Sequence, residues 1–182
     1  MTPETHQKFL TFYKPIHERF TRYCSSNAYG LMEAEDLVQD AILATLQHFN
    51  RINEKDKLFS YMICVANNLV KNVLRRQKFK GVFNEKAALR LEGNIGNPEV
   101  ALDIHYLYKA LNQLTLKDKE AVILFEVNGF SIREISEMQQ SSEGAIKTRL
   151  SRARQKLKAL LSEDRPQLNT YSKTQVLFSI FL

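Results

Sequence analysis

Ile146, Leu150, Ala153, Leu157 and Leu160 form an apolar series that steps by four, three, four and three residues. That spacing places all five on one stripe of an α-helix. Lys147, Arg149, Arg152, Arg154, Lys156 and Lys158 fall off the stripe, and no acid occurs between Gly144 and Leu161. Such a helix buries its stripe against a small core and turns an uncompensated positive surface outward, which suits a phosphate backbone. The same pattern also fits a lysine-rich helix packed in a bundle, so the flanking sequence has to decide.

The flanks favour a helix-turn-helix. Ser131 followed by Glu134 is a capping box, in which the hydroxyl accepts from the Glu134 amide and the carboxylate reaches back to the Ser131 amide. Thr115 and Asp118 repeat that spacing upstream, ahead of Ala121, Val122, Leu124, Phe125 and Val127. Asn128-Gly129 closes that segment, because glycine accepts the left-handed conformation that ends a helix. Residues 115 to 161 therefore read as three helices. Gln139 to Ser142 forms the turn before the last of them, and Ser141 or Ser142 is its cap.

A chain of 182 residues with 44% apolar content supports one ordinary domain or two small ones. Residues 80–103 carry Gly81, Gly93, Gly96 and Pro98 with Asn84, Asn94 and Asn97, show no sustained apolar period, and read as a linker between two domains. The net charge of +6 fits a polyanionic partner, and its distribution says more than its total. Glu33, Glu35, Asp36 and Asp40 form an acidic patch, whereas Lys71, Arg75, Arg76, Lys78 and Lys80 form a basic run, so the first domain is expected to face two different partners. The acidic patch also fits ordinary favourable charge near a helix start.

The remaining features exclude several classes. Cys24 and Cys64 have neither disulfide nor metal spacing and are expected as reduced, mostly buried thiols. His6, His17, His48 and His105 are scattered with no nucleophile or metal-ligand pattern, and Cys64 is read on an apolar face, so neither catalysis, a metal nor a cofactor is expected. The N-terminal Met1-Thr2-Pro3-Glu4 stretch lacks an apolar signal core, and no run approaches the roughly eighteen apolar residues of a membrane span. A cytoplasmic protein without membrane insertion is the expectation.

Residues 1–79 read as helical throughout, making the fold all-α, with Pro15 bending the first apolar series of Phe9, Phe12, Tyr13, Ile16 and Phe20. Ala34, Leu37, Val38, Ala41, Ile42, Leu46 and Phe49 define a second helix. Phe59, Met62, Ile63, Ala66, Leu69, Val70, Val73 and Leu74 define another, with Asn67, Asn68, Lys71, Asn72, Arg75 and Arg76 on its polar flank. Asparagine is a poor interior helix former, costing roughly half a kcal/mol relative to alanine. Its amide can read the edge of a nucleobase while neighbouring cations hold phosphates.

With these residues in place the chain resembles the extracytoplasmic-function (ECF) sigma factors of bacterial RNA polymerase. Ala34 to Ala41 looks like the family's polymerase-docking helix, and Phe59 to Asn72 like its promoter-melting helix. Leu114 to Ile135 and Gly144 to Arg154 are similar to its C-terminal helix-turn-helix. The resemblance runs over residues 5 to 162 and implies that Glu35, Asp36, Leu37, Gln39 and Asp40 contact core RNA polymerase. It further implies that Tyr61, Asn68, Lys71, Asn72, Arg75 and Arg76 face the minus-ten promoter element, and that Lys147, Thr148, Arg149, Arg152 and Arg154 face the minus-thirty-five element. Promoter DNA and core polymerase are the implied partners, and an anti-sigma factor is a third candidate.

Two departures accompany the likeness: Tyr61 stands where many members have tryptophan, and Gln139-Gln140-Ser141-Ser142-Glu143 replaces a turn that usually holds a glycine, an apolar residue and a proline. The organisation expected is a domain over 1–79, a linker over 80–103, a helix-turn-helix domain over 104–162 and a tail over 163–182. The tail's apolar end, Gln175 to Leu182, is too short to span a bilayer and has no assigned role: packing back on a domain is favoured slightly over binding a regulator or disorder. The competing reading is a stand-alone helix-turn-helix regulator that binds duplex DNA without polymerase; it leaves the acidic helix and the asparagines without a role.

Overall fold

The computed structural model describes residues 3–52, 54, 57–78 and 98–164. The chain divides into two compact units, one N-terminal and one C-terminal, and among the described residues every element is helical.

In the first unit, α1 (Pro3–Tyr13) and α2 (His17–Ala28) are joined by a tight 3-10 turn over Lys14–Ile16. Pro15 sits in that turn, where its fixed φ suits an early helical position and its missing N–H costs nothing. Phe9, Phe20, Tyr23 and Cys24 are buried. Phe9 stacks on Tyr13 at 5.3 Å and meets Phe49 edge-on at 5.4 Å, so Phe9, Tyr13 and Phe20 of the predicted apolar series enter an aromatic core while Phe12 stays exposed and Ile16 half-buried. Gly30 (φ 72°) follows α2 in the left-handed region, and the Ala28 carbonyl accepts from the Leu31 and Met32 amides at 2.8 and 3.0 Å.

α3 (Ala34–His48) then lies between α2 and α4 (Leu58–Lys78) and packs against both. It buries Ala34, Leu37, Val38, Ala41, Thr45 and Leu46. α4 answers with Leu58, Phe59, Met62, Ile63, Ala66 and Val70. Each fully buried large side chain here contributes about 1.5–3 kcal/mol. The Arg19 guanidinium lies 4.7 Å above the Phe59 ring and ties α2 to the start of α4.

The second unit opens with α5 (Pro98–Asn112). This moves the expected linker boundary: residues 98–103 are helix, while 80–97 lie outside the described residues. Proline is well suited to a first helical turn, and Val100, Ile104, Leu107 and Leu111 repeat in the sequence at helical spacing, a signal outweighed by the adjacent glycine and asparagine content. α6 (Leu116–Val122) runs on into a wider π-turn over Ile123–Val127. Asn128 and Gly129 (φ 67°) end it, with the Phe130 amide donating to the Leu124 carbonyl at 3.0 Å. α7 (Ile132–Met138) and α8 (Glu143–Asp164) complete the unit.

The capping expectations divide. At α7 both halves of the box form, with the Glu134 amide on Ser131 Oγ at 3.2 Å and the Ser131 amide on Glu134 Oε2 at 2.8 Å. At α8 the cap is Ser142, whose Oγ accepts from the Ala145 amide at 3.2 Å. At α6 Thr115 Oγ1 accepts from the Asp118 amide at 3.2 Å, but the Asp118 carboxylate turns away to arginines of α8 instead of returning to Thr115. Along α8 the predicted stripe is buried at Ile146, Leu150, Ala153 and Leu157 against α5, α6 and α7, with Leu160 half-buried. The tail from residue 165 onward, including its apolar end, lies outside the described residues.

Candidate polymerase and promoter interfaces

α3 presents the acidic surface. Glu35, Asp36, Gln39 and Asp40 are exposed, whereas Leu37 has no exposed surface. Leu37, implied as a polymerase contact, therefore belongs to the core and holds the helix from behind, because it lies on the buried stripe with Ala34, Val38 and Ala41. Leu43, outside the predicted apolar stripe, is 59% exposed. It follows Asp36, Gln39 and Asp40 by seven, four and three residues, so all four share one helix face. Its absence from the apolar stripe of α3 was the available signal.

On α4, Asn68, Lys71, Asn72, Arg75 and Arg76 are all exposed and Tyr61 is half-buried. Their separations of seven, three, one, three and one residues keep them on one side of the helix. Arg75 Nη2 donates to Asn72 Oδ1 at 2.6 Å, which engages the acceptor of that amide. Asn67 is buried and does not join this row. Cys64 is exposed within it, contrary to the expectation of a buried thiol: it lies three residues after Tyr61 and four before Asn68, on the polar side of α4. Cys24 is buried as expected, and burial pushes its thiol up to about 12.

On α8 the structure overturns the picture of an uncompensated cationic helix, since acids missing from α8 itself arrive from other elements. Arg152 Nη2 lies 2.9 and 3.2 Å from the two oxygens of Asp118, a side chain only 6% exposed. Arg149, expected to reach the groove, is turned inward at 15% side-chain exposure. Its Nε lies 3.8 Å from Asp118 Oδ1. Its Nη1 donates to Gln139 Oε1 at 2.5 Å and to Ser141 Oγ at 3.4 Å.

Arg154 Nε donates to Glu126 Oε1 at 2.9 Å, and its guanidinium sits 5.4 Å over the Phe125 ring. Lys156 Nζ donates to the Gln113 carbonyl at 2.7 Å. Lys147, Thr148, Arg152 and Arg154 remain exposed. Such long-range pairings between α8 and the elements before it have no signature in local spacing, so spacing alone does not separate Arg149 and Arg154 from Lys147, Thr148 and Arg152.

The second unit thus carries a helix-turn-helix with its third helix exposed along one polar side. The first offers an acidic helix and a helix lined with amides and cations. Together they define a helical, two-domain DNA-binding transcription protein. Residues 9–80 match the family model for sigma-70 region 2, and residues 104–157 match that for sigma-70, region 4.

The chain is 30% identical to the RNA polymerase sigma factor CarQ of Myxococcus xanthus over 132 residues, covering 71% of this chain and 75% of that protein. It is 27% identical to the ECF sigma factor EcfG of Rhodopseudomonas palustris over 131 residues, covering 72% of each. The sigma factor RpoE from Bartonella quintana, solved with the anti-sigma factor NepR, superposes with a TM-score of 0.65 at 26% identity, over 86% of this chain and 99% of that one. The fold is shared as well with CnrH, solved with the cytosolic domain of CnrY, at a TM-score of 0.65 and 20% identity, over 88% of this chain and 91% of that one.

The chain belongs to the ECF sigma factors of the sigma-70 family. It is an RNA polymerase sigma factor that directs promoter-specific transcription initiation. No helix of the described residues is long and apolar enough to cross a membrane.

Proposed function

We propose that the first unit docks on core polymerase through Glu35, Asp36, Gln39 and Asp40, with exposed Leu43 as the apolar centre of that face and Leu37 supporting it from the core. Oriented acids speed and direct the encounter with a basic partner, and the leucine adds area to be desolvated. The neighbouring α4 captures the minus-ten element as single strand. Asn68 offers a paired donor and acceptor to an extruded base and Asn72 its N–H groups, Tyr61 offers a ring for stacking, and Lys71, Arg75 and Arg76 hold the flanking phosphates. Extruding a base costs a few kcal/mol, which these contacts offset as the duplex opens.

The second unit holds the minus-thirty-five duplex through Lys147, Thr148 and Arg152. Arg149 is left out of this surface because its guanidinium is turned inside the unit, and Arg154, though exposed, because Glu126 takes both its Nε and Nη2. The protein performs no bond chemistry of its own and works in the cytoplasm. An anti-sigma factor is a further partner, by analogy with the two structural relatives, each solved bound to another protein.

The observation carrying this reading is the row of exposed amides and cations along a single side of α4, in a unit separate from the helix-turn-helix, which a stand-alone helix-turn-helix regulator leaves without a role. The test is run-off transcription with core polymerase alongside a pull-down. Wild type is expected to bind core and yield promoter-dependent transcripts, and an Asp36→Arg, Asp40→Arg variant to lose both. Wild type that binds duplex DNA but never core polymerase would instead establish the stand-alone regulator.

A further inference from the structure

Asp118 occupies the first turn of α6 with its side chain 6% exposed, so its carboxylate is withdrawn from water and needs cationic partners. It takes two, from successive turns of α8. Arg152 gives it Nη2 alone, at 2.9 and 3.2 Å, while its side chain stays 64% exposed. A guanidinium is a rigid planar fork, so anchoring one end fixes the plane of the rest. The Nε and Nη1 edge is left without a partner among the described residues. Arg149 meets the same carboxylate from its Nε side at 3.8 Å, but its Nη1 is already given to Gln139 and Ser141 in the turn. One buried acid thus sorts two arginines three residues apart, drawing one into the turn and presenting the other to solvent in a set orientation.

We infer that Asp118 is a positioning residue for upstream-element recognition: its buried carboxylate pre-orients Arg152 for the duplex and retains Arg149 as an internal anchor. This rests on the role proposed above for α8. Pre-orientation matters for sequence discrimination in particular. A mobile arginine satisfies any phosphate, whereas a two-pronged contact to a guanine edge demands a fixed plane and position. Asp118 itself touches no nucleic acid in this scheme.

The test uses the full-length protein bound to core polymerase, with a set of upstream duplexes each altered at one position. Wild type, Asp118→Asn, Arg152→Ala and the double variant are compared for their preference between the best element and its single substitutions. Arg152→Ala is expected to reduce that preference about tenfold at one position. Asp118→Asn should reduce it at the same position, and the double variant no further than Arg152→Ala alone, as required of a residue acting through another.

An equal loss on every duplex, an additive loss in the double variant, or an unchanged preference in Asp118→Asn overturns the inference. If Arg152→Ala itself alters nothing while polymerase binding persists, the assignment of α8 to the upstream element has failed; if Arg152→Ala acts and Asp118→Asn does not, only the inference has failed. Should Asp118→Asn unfold the second unit, Asp118→Ser enters the same comparison. Unfolding in both makes Asp118 a stability residue and overturns the proposal.

Discussion

Gln139 Nε2 donates to Glu120 Oε2 at 3.1 Å across nineteen residues of chain, while Oε1 of the same amide accepts from Arg149. Gln139 also donates to the Lys117 carbonyl at 3.1 Å, so a single buried amide joins the start of α6 to the turn and to α8. Hydrogen bonds to charged groups stabilise more than neutral ones, and removing one partner leaves the others buried and unsatisfied.

Gln139→Ala is therefore expected to destabilise the second unit by about 2–3 kcal/mol. Denaturant unfolding of the full chain, followed by helical circular dichroism, checks this. The transition of the second unit should move to lower denaturant and that of the first should stay in place.

Gln140 is the one described non-glycine residue with positive φ, at 49°. A side chain in the left-handed region costs about 1 kcal/mol or somewhat more, and glycine there avoids that strain at the expense of a more disordered unfolded chain. Gln140→Gly should leave the fold unchanged and raise the stability of the second unit by up to about 1 kcal/mol, measured as an upward shift in Tm. Destabilisation would show that the Gln140 side chain makes a contribution of its own.

Lys119 is buried, donates through Nζ to Asn112 Oδ1 at 2.8 Å, and has its ammonium pKa drawn down to about 8 by desolvation. In the unfolded chain the same group titrates at its ordinary 10.5. Between those values the unfolded state binds more protons, so stability rises with pH from about 8 towards 10.5 and the burial penalty is fully present below that window. Lys119→Met abolishes this slope. The stability difference between variant and wild type should be constant below pH 8 and drift in favour of wild type above it, on the order of 3 kcal/mol over the window.

Asn68 is exposed on the row of α4 that also carries Lys71 and Asn72. Asn68→Ala removes an amide without emptying core volume, and alanine is the better helix former. It is expected to leave polymerase binding and thermal stability intact and to reduce open-complex formation several-fold, read by permanganate reactivity of the minus-ten element. Unaltered opening would remove Asn68 from strand capture.

What the sequence made legible was local. The stripe of α8, the full box at Ser131 and Glu134, the Ser142 cap and the bend at Pro15 each depend on residues within a turn or two, where spacing determines geometry. The fates of Arg149, Arg152 and Arg154 depend on Asp118, Glu126 and Gln139, carboxylates and an amide placed by the folding of other helices. Nothing in a local window reports such a pairing. Asp118 misled for a related reason: its spacing from Thr115 mimics a capping box, but burying the carboxylate beside two guanidinium groups outweighs one exposed amide bond. Leu43 was readable as a lone apolar residue out of phase with its own helix.

α8 is at once the central strut of its unit and a helix whose polar side stays exposed. Ile146, Leu150, Ala153 and Leu157 are committed to the interior, and Arg149, Arg154 and Lys156 to ties with neighbouring elements. Lys147, Thr148, Ser151 and Gln155 are exposed and free of those duties, and Arg152 stays exposed while one nitrogen is held by Asp118. With α8 assigned to the upstream element as proposed, drift of promoter preference is channelled through these few sites, so paralogues that read new upstream elements should diverge there first while the scaffold around them stays put.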